Sequence, residues 1–128
     1  MAPKVSAEEL LRQLEECVVL LLADPSVQNA WVDQTGFPAE EMALQLYDGV
    51  DVFSARLREN GLIDPADEIR LRELREYVSQ VQPFLFVDHN HYVDGWYVSD
   101  ASEWARVREL SAGALASLQR PSSAKHTA

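Results

Sequence analysis

Ser6-Ala7-Glu8-Glu9-Leu10-Leu11-Arg12-Gln13-Leu14-Glu15-Glu16-Cys17-Val18-Val19-Leu20-Leu21-Leu22-Ala23 is the stretch that decides the fold class. Ser6 can cap a helix, and Glu9 three residues on completes a capping box. Leu10, Leu11, Leu14, Cys17, Val18 and Leu21 then recur at the i, i+3, i+4 spacing of one helix face. The reading is a core-facing helix over 7–23. Val19, Leu20 and Leu22 broaden the apolar stripe, so its last turns are expected to be enclosed on several sides. The apolar run Cys17–Ala23 ends at Asp24-Pro25, far short of the roughly 20 residues that a membrane span requires.

The same periodicity continues along the chain. Ser26–Asp33 reads as a short helical turn that packs Trp31 over the end of the first helix. Pro38 suits the first position of a second helix, with Glu40 and Glu41 at the positive end of its dipole. Met42, Leu46, Val50, Phe53 and Leu57 follow at helical spacing, and Gly61 supplies a left-handed stop, giving a helix over 38–60. Gly49 inside it signals a bend or a close contact. A third helix opens at Asp64-Pro65, turns Ile69, Leu74, Tyr77, Val78 and Val81 inward and is closed by Pro83. Its flanks alternate Arg70, Arg72 and Arg75 with Glu68, Glu73 and Glu76, as a solvated face does.

From Phe84 to Val98, aromatic and β-branched residues replace the helix formers. Asp94-Gly95 between two such runs predicts a hairpin around 91–98, with Phe84–Val87 either a third strand or a segment threading the core. Asp100 and Glu103 suggest another capping box, followed by a final helix through Trp104, Val107, Leu110, Ala114, Leu115 and Leu118 to about residue 119. Residues 121–128 are small and polar and read as a disordered tail. The fold class expected is mainly α: one domain over 1–120, a small bundle of three long helices and one or two short ones.

Length and composition agree. With 128 residues, one core can bury roughly two-thirds of the unfolded surface. A content of 47% hydrophobic and 25% charged residues excludes a disordered chain. Eleven Lys and Arg against 21 Asp and Glu give a net charge of −10, which excludes binding driven by phosphate neutralisation on nucleic acid or anionic lipid. The single cysteine and a first stretch without a leader pattern suggest a cytoplasmic protein.

Catalytic signatures are sparse. Cys17 lies on the apolar stripe, where burial quenches the thiolate. The serines lack a glycine-flanked elbow, and no Gly-rich phosphate loop is present. The glutamate pairs 8–9, 15–16 and 40–41 read as solvated helix faces, and most of the aromatics as core fillers. Asp88-His89-Asn90-His91 is similar over four residues to HNH-type endonucleases, but the companion cysteines and basic groove of those enzymes are missing. His89 and His91 with Asp88 or Asp94 leave a bare metal site as the alternative; no metal or cofactor is assigned.

Charge segregation is the more informative signal. Gln13–Ala55 contains eight acidic residues, Glu15, Glu16, Asp24, Asp33, Glu40, Glu41, Asp48 and Asp51, and no Lys or Arg. With the first two helices side by side, Asp33, Glu40, Glu41, Asp48 and Asp51 would surround one end of the fold, and Tyr47 would be an aromatic anchor among them. Those six are the expected partner-binding residues, provided that no arginine of the other half covers them. In size, charge and lack of catalytic motifs the chain resembles the small acidic immunity proteins of bacterial toxin systems. The resemblance implies stoichiometric inhibition of a basic partner such as a toxin or nuclease; a DNA-mimicking inhibitor would share these features. The other alternative is a helical regulatory module that self-associates through Leu44 and Val52.

Overall fold

A computed structural model describes residues 5–87 and 97–120. The architecture is mainly α: α1 (Ala7–Leu22), α2 (Pro25–Thr35), α3 (Glu41–Asp48), a π-helical turn (Gly49–Phe53), α4 (Ser54–Glu59), α5 (Pro65–Leu85), strands β1 (Phe86–Val87) and β2 (Tyr97–Val98), and α6 (Glu103–Leu118). Helix α6 lies against both α1 and α5. The α3–α4 segment closes the other side of α1 and touches α5, while α2 packs against α1 and β2.

Each boundary has a local cause. Ser6 Oγ accepts the Glu9 amide at 3.1 Å, but the reciprocal half of the expected capping box is absent: the Glu9 carboxylate turns to Arg12 instead. Pro25 both ends α1 and begins α2, because its fixed φ and missing N–H suit a first helical turn. The short turn expected at 26–33 is therefore an 11-residue helix. It ends at Gly36 with φ 74°, a backbone conformation natural to glycine. Gly61, with φ 71°, is the left-handed stop the sequence indicates, and the Leu62 amide reaches back to the Leu57 carbonyl at 3.0 Å as a Schellman closure does.

The helix expected over 38–60 starts later, because residues 38–40 form a turn in which the Pro38 and Ala39 carbonyls accept from Glu41 and Met42. Its middle is the π-turn. Gly49 marks the close contact that the sequence suggests: a Cβ there would lie 2.6 Å from Leu14 Cδ1.

Three other expectations are corrected. Pro83 does not close α5, which runs on to Leu85; in the final turn the proline frees only the Ser79 carbonyl, on an exposed residue, where water can satisfy it. Ile69 is 58% exposed, and the inward row is Leu71, Leu74, Val78 and Leu85. At α6 the cap residue is Ser102, with no side-chain cap bond, so the Asp100–Glu103 box does not form.

Phe86 pairs with Val98 and Val87 with Tyr97 in an antiparallel ladder, so the Phe84–Val87 stretch divides between the end of α5 and β1. The expected turn at Asp94-Gly95 and the first run of that hairpin lie outside the described residues, as does the expected tail over 121–128. Trp104 anchors this corner. Its indole N–H donates to the Leu85 carbonyl at 3.0 Å, and its ring meets Phe86 edge-on at 5.8 Å, a favoured aromatic geometry. The core is one contiguous cluster that includes Leu14, Val18 and Leu21 of α1, Leu46 and Leu57, Leu71, Leu74 and Val78 of α5, and Trp104 and Val107 of α6. Each fully buried leucine contributes about 1.5–3 kcal/mol.

Candidate protein-binding surface

The cation-free stretch Gln13–Ala55 builds most of α1, all of α2 and α3, and the π-turn. Between these elements runs a groove of about 640 Å³, lined among others by Leu14, Val19, Val27, Trp31, Phe37 and Phe53, with Glu16 and Asp48 as its carboxylates. Gly49 belongs to the wall; the missing side chain leaves the space that the Leu14 methyl group occupies. The turn from Gly49 to Phe53 follows the i→i+5 pattern, a widening found frequently at functional sites. Ser54 Oγ, at the start of α4, donates to the Val50 carbonyl of that turn at 2.6 Å.

Apolar groups on the rim face water. Val19 is 48%, Val27 53% and Phe37 50% exposed. The expectation that the last turns of α1 are enclosed on several sides is thus corrected: α2 leaves α1 at Pro25 and does not cover Val19. Trp31 is half-buried and lies 6.1 Å, centroid to centroid, from the Phe37 ring.

The six expected partner-binding residues divide into separate environments. Tyr47 and Asp51 turn toward α5. The Arg75 guanidinium lies 4.7 Å from the Tyr47 ring centroid and holds Asp51 through Nη2 at 2.8 Å and Nε at 3.1 Å. Tyr47 also donates its hydroxyl to Gln82. Burial raises the Tyr47 phenol above its usual value, opposed by Arg75. An arginine of the carboxy-terminal half therefore covers this part of the patch. Asp48 faces the groove. Asp33 is exposed on the last turn of α2, and Glu40 and Glu41 are half-buried at the start of α3. Among the described residues, Asp24, Asp33, Glu40, Glu41 and Asp48 form no ion pair, whereas Glu16 pairs with Arg12 and Asp51 with Arg75.

Sequence reasoning missed the most elaborate polar cluster, at the junction of α5 and α6. Asp64 Oδ1 accepts the Asp67 amide at 2.9 Å and Asp67 Oδ2 accepts the Asp64 amide at 3.0 Å, a reciprocal capping box. Asp67 is fully buried and also accepts the Ser117 hydroxyl. Arg120 Nη2 reaches Asp64 Oδ2 at 2.7 Å and Asp67 Oδ1 at 3.4 Å. The Asp67 amide, with Arg120 assisting, holds the Asp64 carboxyl below its ordinary value. Asp64-Pro65-Ala66-Asp67 carries the local signal, but Ser117 and Arg120 are joined to it only by folding. This cluster ties helix ends together and is structural.

Cys17 is buried, its thiol donates to the Met42 carbonyl at 3.4 Å, and burial pushes its pKa up to about 12. His89 and His91, with Asp88 and Asp94, lie outside the described residues. Among the described residues no three His, Cys, Asp or Glu side chains converge as metal ligands, and no helix is long and apolar enough to cross a membrane. No protein family, characterised protein or solved structure matches this chain.

Proposed function

We propose that this chain is a protein-binding module, an inhibitor of the immunity-protein kind, which neutralises a basic protein partner such as a toxin or nuclease by stoichiometric capture in the cytoplasm. The observation that carries the reading is the one-signed charge of the stretch Gln13–Ala55, which holds most of α1 and all of α2 and α3. In that stretch five carboxylates have no ion pair among the described residues, and the chain carries net −10. Such a surface steers a cationic partner and raises encounter rates by one to three powers of ten at low salt. Arg75 removes Asp51 from that field, which leaves Asp33, Glu40, Glu41 and Asp48 as the charges that dock the partner.

The test is reversal of those four to lysine, with Asp51 left in place for its bond to Arg75. The helical circular dichroism of the parent should persist. Capture of the basic partner should fall, the parent's own capture should weaken as salt screens the rim, and the activity of the captured protein should titrate to zero at one equivalent of the parent. Undiminished capture by the variant would remove the reading. Leu44 and Val52, 42% and 63% exposed, favour a second reading, self-association, which light scattering of a strictly monomeric chain across micromolar concentrations would exclude.

A further inference from the structure

We infer that the groove between α1, α2 and the π-turn seats one amphipathic helical segment of the partner, apolar on one face and lysine- or arginine-rich along its edges. The inference rests on the protein-binding reading above and adds what is recognised. Three large apolar side chains, Val19, Val27 and Phe37, stand about half exposed along a single groove, the kind of apolar concentration that marks an interaction surface. A purely polar basic segment would leave them wet. Among the described residues no cationic side chain lines the groove, so its charge is complementary to a cationic segment and repels an acidic one. Glu16 already shares Arg12, which leaves Asp48 as the carboxylate within the groove that has no ion pair among the described residues. Among the described residues the walls come from helices and from the loop positions Ala23 and Phe37, with no strand edge among them. A strand therefore finds no ladder to extend, whereas a helix can set side chains at i, i+3, i+4 and i+7 between the walls. A volume of about 640 Å³ accommodates several aliphatic or aromatic anchors of that kind.

The experiment uses a synthetic peptide of leucine, tryptophan and lysine in helical period, titrated into the full chain by calorimetry. One comparison peptide has the same composition scrambled, and another has glutamate for lysine. The expected result is one-to-one binding of the amphipathic cationic peptide, about tenfold weaker in a Val19→Ser/Val27→Ser double variant. Both positions are half exposed, so the fold should tolerate the change. Ile69→Ser, outside the groove, should leave affinity unchanged, and neither comparison peptide should match the first. Equal affinity for the scrambled peptide, or no loss in the double variant while the lysine-reversal variant fails, would overturn the groove and leave the charge-based reading intact. Loss in the double variant with none on lysine reversal, which changes Asp48 in the groove, would leave an apolar groove but overturn its cationic occupant and the charge-based reading together. A chain that dimerises by light scattering and becomes monomeric in the double variant would make a second copy the occupant and overturn the inference.

Discussion

Replacing Asp67 by alanine should be among the most damaging single polar substitutions in this chain. Asp67 is fully buried and accepts the Asp64 amide at 3.0 Å, the Ser117 hydroxyl and, at 3.4 Å, Arg120 Nη2. Asp67→Ala leaves the Asp64 amide without an acceptor in buried surroundings, which costs about 1–3 kcal/mol. Loss of the Ser117 and Arg120 bonds adds about 1 kcal/mol. Better helix propensity of alanine and relief from burying a carboxylate return a few tenths or more. The net expectation is about 2–3 kcal/mol, a large share of the roughly 5–15 kcal/mol that holds a domain together, or about 10 °C in Tm at this chain length. Urea unfolding followed by far-ultraviolet circular dichroism should show a lower midpoint at unchanged slope. Asp67→Asn keeps an oxygen for the Asp64 amide and should lose less than half as much. A loss below about 0.5 kcal/mol for Asp67→Ala, or equal losses for both variants, would refute the assignment of the capping box as the dominant part of the cluster.

Acid should expose the same cluster. The Asp64 carboxyl is held below its ordinary value of 3.8, so its contribution is complete above that value in the unfolded chain and is lost as pH falls through the lower folded value. Asp64→Asn should flatten the stability-versus-pH curve below about pH 4, and a parallel curve would contradict it. Cys17, buried with its pKa pushed up to about 12, should resist a thiol reagent at pH 8 in the native state and react fully in denaturant; rapid native labelling would contradict its burial. Gly49→Ala gains about 1 kcal/mol of helix propensity but places a Cβ 2.6 Å from Leu14 Cδ1, an overpacking worth about 1–3 kcal/mol. Net destabilisation is expected, and a Leu14→Ala background should reverse its sign; additive effects would refute the contact. Arg75→Ala should lower stability by about 1–2 kcal/mol, from its ion pair with Asp51 and its stacking on Tyr47, while raising low-salt affinity for a basic partner by uncovering Asp51.

Much of the fold was legible in local pattern. Ser6, Pro25, Gly61 and Asp64-Pro65 mark boundaries because they act on the few residues beside them. The leucine spacing of α1 fixes its inward face because a helix repeats every 3.6 residues. Where local rules failed, a neighbour had overruled them. Pro83 reads as a terminator, yet its lost hydrogen bond falls on an exposed last turn. Ile69 looks like core but faces water, while Leu71 takes the inward position.

The candidate site was legible only as composition. Absence of cations from Gln13 to Ala55 is a property of the sequence, and so is a negative field over whatever surface that stretch builds. Which carboxylates remain available was decided by folding: Arg75 comes from 24 residues beyond Asp51 to cover it and Tyr47, while Asp48, one residue from Tyr47, faces the opposite groove. Neighbouring residues on a helix point about 100° apart, so a run of like charges in sequence is divided among different faces in space. The groove itself has no linear signature, because Val19, Val27 and Phe37 come together only through the break at Pro25 and the turn at Gly36. Spacing along the chain determined the helices, and the packing of those helices determined which of their side chains meet water, a cation or one another.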